Sequence, residues 1–341
     1  MKIFKNLLCN KKRITILAIL IASILIVISV FYFQRLYTTN TESSYIIIKS
    51  GSSSEDISKL LLDKAIIKSK EKFKIYAKLN GLTKNTKDIN LIIKPNTSYK
   101  ELILKLKNQQ SDFYVVTIPE GFTLYQIAER LEKYTPLKKE KFLQVSTMDL
   151  SSNGIFSKGA AANYDLEGVM YPDTYYIQVG STEKDVANLM FKRFRSIFSD
   201  EDIKRAKELN LSVNQVITVA SLVEKEAAND SDRSKIAGVI YNRLKKGMPL
   251  QIDASVIYAI TKGQYVINRL SYEDLKVKDA YNTYLYKGLP PGPIASPGRP
   301  SIEAALYPEK SDYLYYVANG KGHVFSKTYE EHLSNVKKYI K

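Results

Sequence analysis

Little in this chain is built for metal or redox chemistry. One cysteine, Cys9, among 341 residues leaves no intramolecular disulfide and no cysteine-rich metal site. Two histidines, His323 and His332, are too few for a histidine-based zinc centre, so no cofactor is expected. Tryptophan is absent, and any stacking on sugars or bases falls to the 25 tyrosines and 12 phenylalanines. Acidic residues are outnumbered, 35 against 51 lysines and arginines, for a net charge of +16. That balance suits polyanionic surroundings: nucleic acid, an anionic lipid leaflet or an acidic cell-wall polymer. It does not choose among them. Hydrophobic residues at 45% and charged residues at 25% exclude a disordered chain, and the length allows two folded units.

Long apolar runs are missing too, with one exception. Ile14 to Phe33, "ITILAILIASILIVISVFYF", carry no charge. As a helix rising about 1.5 Å per residue they would cross the ~30 Å hydrocarbon core. Lys2, Lys5, Lys11, Lys12 and Arg13 precede the run, so the positive-inside rule places the N-terminus in the cytoplasm. The following "FYFQRLY" offers no small-residue cleavage site, which favours an uncleaved anchor over a signal peptide. The expectation is a cytoplasmic basic tail over 1–13, a transmembrane helix over 14–35 and an extracytoplasmic remainder at the cell membrane. An external domain argues against nucleic acid as a partner.

Between 45 and 135 the chain repeats itself: "IIIKSGSSSEDISKLL", "LIIKPNTSYKELILKL" and "VVTIPEGFTLYQIAERL". Each copy reads as a strand, a turn and a helix. Ser52 with Glu55, Ser98 with Glu101 and Thr123 with Gln126 have capping-box spacing, and eight residues after each cap stands Leu60, Leu106 or Leu131. The first copy resembles the small LysM-like module, a βα fold that binds glycan chains. Strand–turn–helix is also a common element with no ligand at all. A LysM-like unit over 36–112 is the expectation, followed by a mixed α+β domain over 113–341.

"VITVASLVEKEAAND" raises the chemical question, because it carries Glu224 and Glu226 in the last turns of an otherwise apolar helix. Ser212 is a plausible cap, and Val213, Val216, Ile217, Ala220, Val223 and Ala227 recur at three and four residues. On a helical wheel Glu224 falls within that stripe and Glu226 on its flank, beside Val219 and Leu222. Burial raises a carboxyl's pKa and makes it a candidate general acid. Either glutamate could equally be a structural carboxylate, paired with a base or solvated at a fraying end. Around the helix lie "LEGVMYPDTYYI" with Glu167 and Asp173, "AGVIYNRLKKGMPLQIDASVIYAI" with Asn242 and Asp253, and "AYNTYLYKGLPPGPIASPG" with Tyr281, Asn282 and Tyr284. Planar rings and amides of this kind suit sugar faces and hydroxyls, though each residue also caps helices or fills cores elsewhere. His323, in "GKGHVF", is a further candidate for the cleft.

Together with "ASLVEKEA" and "YLYYVANGKGHVFSKTYEEH", these segments resemble the endolytic murein transglycosylase, or YceG-like, family across nearly all of 115–335. The resemblance implies a lyase that cuts peptidoglycan glycan strands internally at MurNAc-β-1,4-GlcNAc bonds and leaves 1,6-anhydro ends. It also implies cell-wall synthesis proteins as partners. It puts the catalytic acid at the second glutamate of Glu224-Lys225-Glu226, where the wheel alone would choose Glu224. The sequence departs from the family after Asp253, where Ala254 replaces a more usual proline. Three other functions stay open: a non-catalytic wall-binding scaffold, a lysozyme-type hydrolase pairing Glu226 with Glu167 or Asp253, and a binder of lipid or teichoic acid.

Overall fold

The computed structural model describes residues 15–24, 36–82, 87–146 and 162–340. Residues 15–24 form a helix, α1. Among the described residues no helix is long and apolar enough to cross a membrane. The rest of the expected 14–35 span, and the whole basic tail 1–13, lie outside the described residues.

The chain divides into two compact units, Met1–Tyr114 and Val115–Lys341. In the first, β1 (Ser44–Ile48), α2 (Ser54–Asp63), α3 (Lys70–Leu79), β2 (Ile89–Ile93) and α4 (Tyr99–Asn108) follow in order. β1 and β2 pair antiparallel, from Ser44 opposite Ile93 to Ile48 opposite Ile89. The period of two turns Ile46, Ile48, Ile89, Leu91 and Ile93 inward, against Ile57, Leu61, Phe73, Leu102 and Leu106 of the helices.

Two of the three expected caps hold as read. Ser98 accepts from the Glu101 N–H, and Thr123 with Gln126 closes a reciprocal box. The first moves by one residue: Ser53, not Ser52, caps α2 and is answered by Asp56, not Glu55. Successive serines followed by two acids allow either register, and burial decides between them. With Ser53 as cap, the leucine eight residues on is Leu61, fully buried, whereas Leu60 is only partly covered.

The strand β3 (Phe113–Thr117) leads into the second unit, where it pairs with β4 (Thr174–Gln178). Helices α5 (Leu124–Tyr134) and α6 (Lys139–Leu143) precede β4; residues 147–161 lie outside the described residues. Then come α7 (Glu183–Ile197), α8 (Asp200–Glu208), α9 (Val213–Glu226), α10 (Asp230–Lys245) and α11 (Asp253–Thr261). A long irregular stretch leads to α12 (Arg299–Leu306), the antiparallel hairpin β5 (Tyr315–Ala318) and β6 (His323–Ser326), and α13 (Tyr329–Tyr339). The class is mixed α+β, with small two-stranded sheets among many helices.

The glutamate helix is the centre of this unit. Ser212 caps α9 as the spacing predicts, with Gln215 completing the box. Every residue from Val216 to Val223 is buried, on all faces rather than along one stripe, because α8, α10, α11 and α12 surround it. Such a helix is a fixed post, and its last turn carries its two acidic side chains.

Candidate active site

The two glutamates at the end of α9 have opposite surroundings. Glu224 accepts from Arg233 Nη1 of α10 at 3.2 Å and from the Gly298 N–H, at the N-cap of α12, at 3.1 Å. Both partners of the ion pair are largely covered, with side chains 8% and 13% exposed. Arg233 also binds Asp230 and the Ser301 hydroxyl. Glu224 is thus tied on two sides, by a guanidinium and by a backbone N–H.

Glu226 is the last residue of α9 and, among the described residues, forms no salt bridge. The Tyr316 hydroxyl of β5 donates to its Oε2 at 3.1 Å. Burial is the chief cause that raises its pKa, and the negative charge of Asp253 adds to it. The Tyr316 hydroxyl, the charge of His323 and the Ala254 N–H at the start of α11 pull the other way. A position at a helix C-terminus also disfavours an anion. The balance raises the pKa of this carboxyl above its ordinary value.

Two cavities meet at Glu226 and Asp253, each of a size that holds a small ligand. One, of about 370 Å³, runs between α5 and α11 and is walled by Thr123, Tyr258, Gly263, Val266 and Ile294. The other, of about 450 Å³, is walled by Arg243, Gln251, Tyr284, Tyr316 and Tyr329. The first is mostly apolar and the second polar and aromatic, so Glu226 stands at the junction of two chemically distinct lobes. A separate cavity of about 420 Å³ lies beside Arg233 and Arg299. Those guanidiniums are already paired with Glu224, Asp230, Asp202 and Glu303.

Of the other residues picked from sequence, Asp253 and Tyr284 join Glu226. Asp253 opens α11 and accepts from the Tyr284 hydroxyl at 2.6 Å. His323 stands one layer back, with Nδ1 at 2.9 Å from Asp232 and its ring edge-on to Tyr316 at 5.4 Å. It props the tyrosine that touches Glu226.

The remaining candidates hold the scaffold. Asn242 donates to the carbonyls of Ser311 and Tyr313, fastening α10 to the segment before β5. Asn282, fully buried, ties Leu275 and Val277 within the irregular loop, and Tyr281 packs in the core against Tyr258. Asp173 pairs with Arg193 at the surface. Glu167 is buried beneath the apolar lobe, accepting from the Leu124 N–H and the Tyr258 hydroxyl, both at 2.9 Å, and its pKa is raised to about 7 by burial.

Sequence reasoning missed Tyr316 and Arg243. Tyr315 and Tyr316 are adjacent on one strand and face opposite ways, so no local pattern says which meets the acid. Among the described residues no group of three or more His, Cys, Asp or Glu is placed to hold a metal ion.

The YceG-like family profile matches residues 46–338. An endolytic murein transglycosylase of Bacillus subtilis (strain 168) is 36% identical over 308 residues, covering 86% of this chain and 84% of its own length. One of Streptococcus pneumoniae serotype 2 (strain D39 / NCTC 7466) is 32% identical over 321 residues, again 86% of this chain but only 58% of that longer protein. The crystal structure of a yceG-like protein from Listeria monocytogenes superposes with a TM-score of 0.62 at 36% identity, over 86% of this chain and 99% of that one. With most of its length matched by the profile and by relatives above 30% identity, the chain belongs to the YceG-like family.

Proposed function

We propose that the chain is an endolytic murein transglycosylase that cleaves MurNAc-β-1,4-GlcNAc bonds, with Glu226 as its acid and base. One observation carries the reading: the buried carboxyl of Glu226, touched by the Tyr316 hydroxyl and with its pKa raised, stands where two cavities meet, while its neighbour Glu224 is locked in an ion pair. The names of the relatives support the substrate.

In this reading Glu226 donates its proton to the O4 of the departing GlcNAc as the C1–O4 bond breaks. The C6 hydroxyl of the same MurNAc forms the new bond to C1, and its proton passes to the Glu226 carboxylate. The acid is restored, a 1,6-anhydro ring closes and no water is consumed. A nucleophile already tethered to the reacting sugar lowers the barrier by several kcal/mol through effective molarity. The Tyr316 hydroxyl favours the carboxylate form between the two transfers. The test is the length distribution of strands incubated with the full chain. Internal cutting yields mid-length fragments from the start, and E226Q yields none. An unchanged distribution would leave a wall-binding scaffold or a binder of lipid or teichoic acid.

A hydrolase is the second reading, favoured by Asp253, whose carboxylate lines both cavities with Glu226 and could activate water. The apolar run 14–33 and the lysines before it support a membrane anchor with the folded units outside the cell. The βααβ order of β1, α2, α3 and β2 supports a LysM-like, glycan-holding role for the first unit. Alanine at Ser50 and Gly51, in the turn after β1, would then weaken peptidoglycan binding, and unchanged binding would exclude that role.

A further inference from the structure

Arg243, in the last turn of α10, is only 8% exposed and yet lines the polar lobe. Its Nε donates to the Leu314 carbonyl at 2.7 Å. Its Nη1 donates to the carbonyls of Pro249 and Leu250, at 3.1 and 2.8 Å, and to the amide oxygen of Gln251 at 3.1 Å. Every one of these acceptors is neutral. Among the described residues no carboxylate lies within 4.0 Å of the guanidinium, and Nη2 has no acceptor. The two acids of the lobe are engaged elsewhere, Glu226 by Tyr316 and Asp253 by Tyr284. From one side the Tyr315 ring covers the guanidinium at 5.1 Å.

Buried cations in folded proteins are normally matched by an anion. Here four nitrogen-to-oxygen anchors, from Nε and Nη1, fix the plane of the guanidinium and leave Nη2 without an acceptor in a residue that walls the cavity, with the charge unanswered. That is a preorganised receptor for a carboxylate, which an arginine fork binds more strongly and more directionally than a neutral oxygen.

We propose that the polar lobe is a carboxylate-recognition subsite in which Arg243 Nη2 binds an acid group carried by a sugar of the strand. The proposal rests on the murein reading above and gives it a direction. In murein the acid-bearing sugar is muramic acid, and the sugar beyond the cut bond is GlcNAc. With Glu226 at the junction, the muramoyl residue lies on the polar side and GlcNAc on the apolar side. The carboxylate has two possible sources: the stem peptide, or the lactyl group of a muramic acid whose peptide has been removed.

The test is equilibrium binding to the full chain carrying E226Q, which stops turnover. The probes are murein oligosaccharides with stem peptides, the same oligosaccharides stripped of peptide, and the methyl ester of each. The carboxylate forms should bind at least about tenfold more tightly than their esters, as a charge-assisted bond implies. A preference confined to one pair of probes identifies the source of the carboxylate. In E226Q/R243Q the preference should vanish while ester affinity stays within about twofold. Equal binding of acid and ester by E226Q alone overturns the proposal, whatever R243Q does to folding. So does an equal loss for both forms in R243Q, which would mark Arg243 as a brace for the 249–251 loop. If the wild-type chain cuts no strand, the murein reading itself fails; if it cuts acid and ester strands alike, only the subsite does.

Discussion

Replacing each glutamate of the Glu224-Lys225-Glu226 triplet by glutamine should separate stability from catalysis. Glu224→Gln removes the negative partner of a largely covered ion pair. Stripping one partner from a buried pair costs about 3–5 kcal/mol. Two features lower that here: Arg233 keeps Asp230 at 3.1 Å, and the glutamine oxygen still accepts from Gly298. About 2–3 kcal/mol is left, and a unit of this size loses about 2–4 °C of Tm per kcal/mol. A Tm lower by about 4–12 °C is therefore expected, with strand cleavage within about threefold of wild type. Glu226→Gln preserves volume and still accepts from Tyr316, so its Tm should stay close to wild type. Its rate should fall at least about 100-fold, the usual loss for an acid–base group. Circular dichroism melts and chromatography of released fragments read the two effects. An inactive, fully stable E224Q beside an active E226Q would refute the assignment.

Three other perturbations follow from the same contacts. Asp253 raises the pKa of Glu226 and Tyr316 lowers it, so D253N should move the alkaline limb of the pH–rate profile down and Y316F should move it up; limbs moving together would break the scheme. Glu167 is raised on folding from 4.5 to about 7, so the stability it contributes is complete below about pH 4.5 and is lost as pH rises through 7, by at most about 3 kcal/mol. Subtracting Tm-against-pH curves should show that loss in wild type and not in E167Q. Gly168 has φ of +82°, and a Cβ there would lie 2.5 Å from Pro293 and 2.9 Å from Ile217. Backbone strain and overpacking together predict that G168A destabilises by about 3 kcal/mol or more, read as a lower urea midpoint.

The parts of this molecule legible in sequence are those fixed by local rules. The strand–turn–helix copies follow from period-two apolar runs and serine or threonine caps, and only the one-residue slip at Ser53 needed tertiary burial to resolve. The cap of α9 at Ser212 was equally local. The ranking of its two glutamates was not. A wheel ranks positions by their distance from a solvent side, and a helix buried all round has none. What separates Glu224 from Glu226 is the arrival of Arg233 and Gly298 at one and Tyr316 at the other, from segments up to 90 residues away. Asn242, Tyr281 and Asn282 show the same limit. Their chemistry suits sugars, but the folded chain gives Asn242 and Asn282 to backbone carbonyls and Tyr281 to the core.

The central claim concerns where the oxygen of the new sugar end comes from, and cleavage in ¹⁸O-labelled water reads that directly. Closure by the sugar's own hydroxyl predicts fragments one water lighter than reducing ends and free of label. Labelled reducing ends, released by wild type and absent with E226Q, would show that water does the work, with Asp253 the carboxylate to suspect.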